Sequence, residues 1–161
     1  MEKVLVIDPE ICTGCRICEQ VCSVVNENVV NPYRARIKVM RWETEGVVVP
    51  MVCQQCDTPM CREVCPVNAL EKCSDTGVVK VNYNRCIGCR MCIAASPFGL
   101  MMYDFADKKV IKCELCGGDP QCVRFCDAGA VRLEDKQKEG AGARKKAGEK
   151  LKAAVSGRET M

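Results

Sequence analysis

The chain has no histidine, and only seven of its 161 residues are aromatic: one Trp, three Tyr and three Phe. Without histidine, the usual general base and the commonest nitrogen ligand for a metal are both missing. No nucleophile motif and no Gly-rich phosphate or dinucleotide fingerprint takes its place, so no catalytic apparatus is expected. Seven rings are too few for an ordinary core of this size, and stability must come from elsewhere. No apolar run approaches membrane-spanning length, so no direct membrane insertion is expected. The N-terminus Met1-Glu2-Lys3-Val4-Leu5-Val6-Ile7 shows no long apolar stretch, no cleavage site and no twin arginine, which predicts a cytoplasmic protein.

What the chain has in excess is cysteine: sixteen residues, fifteen of them in four copies of one spacing pattern. The copies are Cys12, Cys15, Cys18, Cys22; Cys53, Cys56, Cys61, Cys65 followed by Pro66; Cys86, Cys89, Cys92; and Cys113, Cys116, Cys122, Cys126. The third copy has Ser96-Pro97 where its fourth cysteine and proline would stand. Three close thiolates plus a distant fourth form the ligand set of a cubane iron–sulfur cluster. Tight spacing lets one loop hold three corners of the cube. Gly14 and Gly88, each just before a ligand, leave room for backbone N–H groups to approach the cluster sulfurs. In two-cluster ferredoxins the fourth cysteine of a motif turns away to serve the other cluster.

Two other uses of cysteine compete. Disulfides belong to secreted proteins, and nothing at this N-terminus predicts export. A structural zinc protein would pair two C-x2-C knuckles or mix cysteine with histidine, and the third cysteine of each motif argues against it. With so much of the interior given to metal, folding and cluster binding are expected to be coupled.

Along the chain, Val4 to Ile7 reads as a short strand into the first motif, and a helical turn or short helix is expected after Cys18. The alternation from Arg36 to Trp42, with Gly46 to Pro50, suggests a β-hairpin. Pro66 is expected to open a short helix through Leu70, with a turn at Asp75-Thr76-Gly77 and a strand from Val78 to Val81. Leu100 to Tyr103 and Lys109 to Ile111 resemble a second hairpin, and Val131 and Leu133 are the last expected body residues. From Arg132 onward nine Lys or Arg face five Asp or Glu, while the rest of the chain holds fifteen against sixteen. The positive charge thus sits in a tail, 134–161, that could be helical but has a thin apolar face. No nucleic-acid site is expected, because no aromatic residues lie between the tail's charges.

The second and third motifs, with Cys65-Pro66 and the strand between them, resemble a bacterial two-cluster ferredoxin. Residues 1–133 as a whole resemble the four-cluster iron–sulfur subunits of molybdenum and tungsten oxidoreductases. Val52-Cys53-Gln54-Gln55-Cys56 and Lys112-Cys113-Glu114-Leu115-Cys116-Gly117-Gly118 carry the likeness. In size, the chain is most similar to the small subunits that partner tungsten aldehyde-oxidoreductase-type enzymes, aldehyde oxidoreductase or tungsten benzoyl-CoA reductase among them.

The resemblance implies an α+β, nested double bacterial-ferredoxin-like fold over residues 1–133, with an inner unit of about 51–100. It also implies the ligand sets. One [4Fe-4S] cluster takes Cys12, Cys15, Cys18 and Cys126. A second takes Cys22, Cys113, Cys116 and Cys122. A third takes Cys65, Cys86, Cys89 and Cys92. The fourth set is Cys53, Cys56 and Cys61 with Ser96 in the fourth position. Serine oxygen is a hard ligand of high pKa, a poor match for cluster iron. Four outcomes are open there: a [3Fe-4S] cluster, an oxygen-ligated [4Fe-4S] cluster, rescue by Cys73, or an empty site. The altered or missing cluster is preferred, and Cys73 is read as a small apolar residue in its connection.

Arg16, Arg90 and Lys112 lie beside ligands and could raise potentials, but each is expected to face solvent. Met51, Met91, Met101 and Met102 are expected to pack cluster pockets rather than to ligate. The expected function is non-catalytic: an electron-transfer subunit relaying single electrons between a catalytic, tungsten or molybdenum subunit and a further redox partner, within a hetero-oligomer. A free-standing polyferredoxin that diffuses between enzymes is the alternative.

Overall fold

The computed structural model describes residues 2–137, so all but the first residues of the predicted tail lie outside the described residues. The chain is pinned at both ends of its body. Strand β1 (Lys3–Ile7) is a continuous apolar run after Lys3 and buries Val4 and Leu5. It pairs antiparallel with β8 (Val131–Asp135), setting Leu5 opposite Leu133 and Ile7 opposite Val131. The last strand therefore runs two residues past Leu133. Everything between these strands is enclosed by the pairing, which brings the first and fourth motifs side by side.

Helix α1 (Ile17–Glu27) follows the first motif and buries Glu19, Cys22 and Ser23, the i, i+3, i+4 face of one stripe. It ends at Asn28, in the left-handed conformation of a helix C-cap, whose N–H bonds Val24 O at 2.9 Å. Strands β2 (Ile37–Trp42) and β3 (Val47–Val52) form the expected hairpin. Helix α2 (Met60–Glu63) and helix α3 (Met91–Ala94) are single turns. Strands β6 (Met102–Asp104) and β7 (Lys109–Ile111) form the second expected hairpin, and helix α4 (Gln121–Arg124) packs on α1.

One prediction of secondary structure fails. Pro66 does not open a helix; after Cys65 the chain makes a turn, and Leu70 starts strand β4 (Leu70–Lys72), paired with β5 (Val79–Val81). The Ala69 N–H, which a helix would give to the Cys65 carbonyl, goes instead to Cys65 Sγ at 3.2 Å. Asn68, at φ 48°, breaks the helical run. The turn at 74–76 follows, with Cys73 N bonded to Val78 O.

Two small cores result. The outer one joins Leu5, Ala35, Ile37, Val52, Leu115 and Val131 with Cys22, Cys113 and Cys122. The inner one joins Leu70, Val79, Val81, Met101 and Val110 with Cys92. Cysteines sit inside both, whereas Tyr33, Trp42, Tyr83, Phe98, Phe105 and Phe125 are exposed. The few rings of this chain do not build its core, and the sulfur-lined interior does that work instead.

Candidate metal centre

Four cavities are lined by the motif cysteines, each by three from one motif and one residue from another. Cys12, Cys15 and Cys18 meet Cys126. Cys113, Cys116 and Cys122 meet Cys22. Cys86, Cys89 and Cys92 meet Cys65. Cys53, Cys56 and Cys61 meet Ser96. These are called the first, second, third and fourth cavities below. Cys73 lines none of them: it sits in the β4–β5 turn, where hydrogen bonds from Thr76 and Asp75 hold its thiol below the ordinary thiol range. Of the four methionines, Met101 is buried and lines the third and fourth cavities, while Met51, Met91 and Met102 line none of the four. Met91 is half exposed and does not pack a pocket.

The backbone shapes each motif in the same way. The residue before the second cysteine is left-handed in all four: Gly14 at φ 70°, Gln55 at 47°, Gly88 at 69° and Leu115 at 56°. Sequence reading found this position where glycine marks it and missed Gln55 and Leu115. Their only signal is their place in the repeat. A left-handed residue in such a turn directs successive N–H groups to one side, forming a concavity for an anion of the kind seen around iron–sulfur groups; in the fourth motif the left-handed run continues through Cys116 and Gly117. At Gly14 a Cβ would also come within 3.2 Å of Val48 Cγ1 on β3, so the glycine admits the hairpin against the first motif.

Burial shifts the thiols. Desolvation, reinforced at some sites by neighbouring thiolates, pushes Cys18 and Cys113 up to about 12 and Cys92 to about 11. Cys22, Cys61 and Cys122 are raised by the same cause. Crowded thiols resist ionisation unless a cation joins them, which is what a thiolate-bound metal supplies. Backbone donors are ready for the ionised form: Arg36 N–H reaches Cys22 Sγ at 3.2 Å, as Ala69 N–H reaches Cys65 Sγ. Arg36 Nη1, on a residue that lines the second cavity, is buried with no hydrogen-bond partner among the described residues. Soft donors, anion-binding backbone and an orphaned guanidinium N–H fit an anionic iron–sulfur group.

Ser96 repeats Cys65. Each follows a one-turn helix, each precedes a proline, and each accepts an N–H four residues on, Ala69 for Cys65 Sγ and Leu100 for Ser96 Oγ, both at 3.2 Å. The serine oxygen therefore stands in its copy where Cys65 Sγ stands in the other. Two polar side chains in the wall of the fourth cavity, Gln55 and Lys112, are also buried. For Lys112 the expectation of solvent exposure is overturned, because the chain leaving β7 runs through the interior from Val110 to Cys113. Arg16 does face solvent, paired with buried Glu19 at 2.6 Å, and Arg90 is exposed, its guanidinium 3.8 Å from the Tyr103 ring centroid.

Comparison with known proteins places this architecture. Residues 44–136, more than half of the chain, match the 4Fe-4S dicluster domain, and residues 5–24 match the 4Fe-4S binding domain. The chain is 39% identical over 122 residues to the aliphatic sulfonate oxidoreductase polyferredoxin-like subunit of Pyrococcus furiosus, covering 76% of this chain and 70% of that one. It is 32% identical over 143 residues to a subunit of the tetrathionate reductase of Salmonella typhimurium, covering 81% of this chain and 57% of that one. Among solved structures, the active site complex BamBC of benzoyl coenzyme A reductase with benzoyl-CoA has a chain of like fold. It matches at a TM-score of 0.50 and 22% identity, over 96% of each chain.

Proposed function

We propose that this chain, which belongs to the 4Fe-4S dicluster domain family, is the electron-relay subunit of an oxidoreductase complex. One observation carries the reading: each of four cavities is walled by three cysteines of one motif and the fourth-position residue of its partner motif. The ligand sets are Cys12, Cys15, Cys18 and Cys126; Cys22, Cys113, Cys116 and Cys122; and Cys65, Cys86, Cys89 and Cys92, with an altered cluster at Cys53, Cys56, Cys61 and Ser96. Bound there, iron–sulfur clusters accept and release single electrons without making or breaking bonds to a substrate. The chain's own residues supply the thiolates, the N–H donors and a largely dry interior. No residue needs to act as acid, base or nucleophile.

Shared walls give a relay order. The third and fourth cavities share Met101. Lys112 lines the fourth and adjoins Cys113 of the second. Cys18 and Cys22, one turn apart on α1, join the second to the first. Cys15 at one end and Cys89 at the other are exposed, each beside exposed apolar residues: Ile11, Ile17 and Phe125 near the first, Ile87 and Met91 near the third. Electrons enter at one end and leave at the other, through a catalytic subunit, a molybdenum or tungsten enzyme, and a second redox partner. The two relatives named as parts of oxidoreductases support that assembly. None of the sixteen cysteines is paired in a disulfide, and a reducing, cytoplasmic setting suits their use as cluster ligands. Among the described residues no helix is long and apolar enough to cross a membrane.

Iron and acid-labile sulfide per chain on anaerobically purified protein, with low-temperature EPR before and after dithionite, test the reading. About sixteen irons mean four complete cubanes; about fifteen with an oxidised-state signal mean a three-iron cluster at the Ser96 site. About twelve irons leave three clusters and remove the fourth from the relay. A colourless zinc-bearing chain sinks the proposal. A native mass equal to one chain alone, measured from the source cell, would replace the bound subunit by a diffusible polyferredoxin.

A further inference from the structure

Lys112 keeps 1% of its surface exposed. Its Nζ is surrounded by three acceptors: Val79 O, Cys113 O at 2.7 Å and Gln55 Oε1 at 3.5 Å. A neutral amine has two N–H donors and an ammonium three, so three acceptors match the charged form. All three are neutral. Gln55 is locked in turn, giving Nε2–H to Cys113 O at 2.8 Å and accepting Val79 N–H at 3.1 Å. No carboxylate forms an ion pair with Lys112 among the described residues. A buried ammonium without a counter-ion is costly, and a fold that builds three acceptors around one implies an anion nearby.

Two anions are on offer. Lys112 is part of the fourth cavity's wall, together with Cys53, Cys56 and Cys61. It also adjoins Cys113, which lines the second cavity and whose carbonyl accepts from its Nζ at 2.7 Å. Of the other basic residues beside motif cysteines, Arg16, Arg62, Arg85 and Arg90 are exposed, where water and salt screen them, and Arg36, largely buried in the second cavity's wall, is already paired with Glu27 at 2.7 Å.

We propose that Lys112 is a positioning residue that raises the reduction potential of the clusters at the fourth and second cavities, its ammonium serving as their shared buried counter-charge. The inference rests on the relay reading above. Lys112 favours the state with one more electron, taken from a neighbouring reduced cluster that is thereby oxidised by one; no proton moves and no bond changes. The inner sites of the relay then hold electrons more tightly than the sites at its ends.

The test is an EPR-monitored potentiometric titration of the full chain and of the variants K112Q, K112M and K112R, with iron content measured on each. In K112Q and K112M the reduction equilibrium constant should fall at least tenfold at the two flanking sites, a potential lower by about 59 mV or more. The first and third sites should stay put, and K112R should resemble wild type. Three results overturn the inference: loaded neutral variants with unmoved potentials, all four potentials moving together, or both neutral variants failing to load while K112R loads, which would assign the charge to assembly. A wild-type chain without cluster signals would overturn the relay reading itself and this inference with it.

Discussion

The third and fourth cavities are near copies in backbone and opposites in chemistry. Each takes its fourth corner from a residue that follows a one-turn helix and precedes a proline, with an N–H donor four residues on. Each has a left-handed residue before its second cysteine. They share Met101 between them. Yet one corner is Cys65 and the other Ser96. The charge beside the third cavity, Arg90, is exposed, and the charge beside the fourth, Lys112, is buried. On the proposed ligand sets, repetition fixes where a cluster would be held, while single side chains would decide which cluster it is and how readily it takes an electron.

Breaking the likeness at the corner should have the largest effect. Cys65→Ser gives the third site the ligand set of the fourth, and we expect it to acquire the same altered cluster. Should the fourth site prove to be a three-iron cluster, the variant should lose about one iron per chain and roughly double the oxidised-state EPR signal. An unchanged spectrum would mean that Cys65 is not a ligand. The reverse change, Ser96→Cys, should convert the fourth site to four thiolates, because Sγ inherits the Leu100 N–H that now reaches the oxygen. Iron and sulfide rising to about sixteen per chain, with loss of any oxidised-state signal, would be the result; a count already at sixteen in wild type would move that effect from iron number to spectrum alone.

Much of this comparison was legible beforehand. The cysteine spacing announced the repeat, Pro66 and Pro97 kept its register, and Ser96 stood out as the one missing thiol. Local pattern located the apolar β1, the alternating β2, β5 after its turn, and the hairpin before Cys113. What failed was read from local preference where sulfur intervened: Pro66 looked like a helix start, but Cys65 Sγ takes the N–H that such a helix would need. Lys112 failed for a different reason. Its inward course depends on strand register and on a three-acceptor cage drawn from Gln55, Val79 and Cys113, which are distant or contextual in sequence. Gln55 and Leu115 hid because left-handed backbone is usually flagged by glycine, and here tertiary packing imposes it on residues that pay roughly 1–2 kcal/mol for the conformation.

That cost offers a smaller perturbation. Gly88 has open space where a Cβ would go, but φ is 69°, so Gly88→Ala meets only the conformational penalty of roughly 1–2 kcal/mol. Gly14→Ala meets the same penalty and also Val48 at 3.2 Å. Thermal unfolding of the loaded protein should therefore fall more for Gly14→Ala than for Gly88→Ala. Equal losses would mean that β3 gives way freely and that the close approach is incidental.

The smallest effect should come from the exposed charge. Arg90 lines the third cavity, yet its guanidinium lies over Tyr103 at the surface, where solvent and ions screen it. Arg90→Gln removes the same formal charge as Lys112→Gln but from a wetter place. The third site's potential should fall by less than one tenfold step in the reduction constant, under about 59 mV, and the shift should shrink further as salt rises. Stability should drop by only about 0.5–1 kcal/mol through the lost ring contact. If Arg90→Gln shifted its site as far as Lys112→Gln shifts the fourth, burial would not be what separates the two cations, and the difference between the cavities would reduce to the identity of the corner ligand.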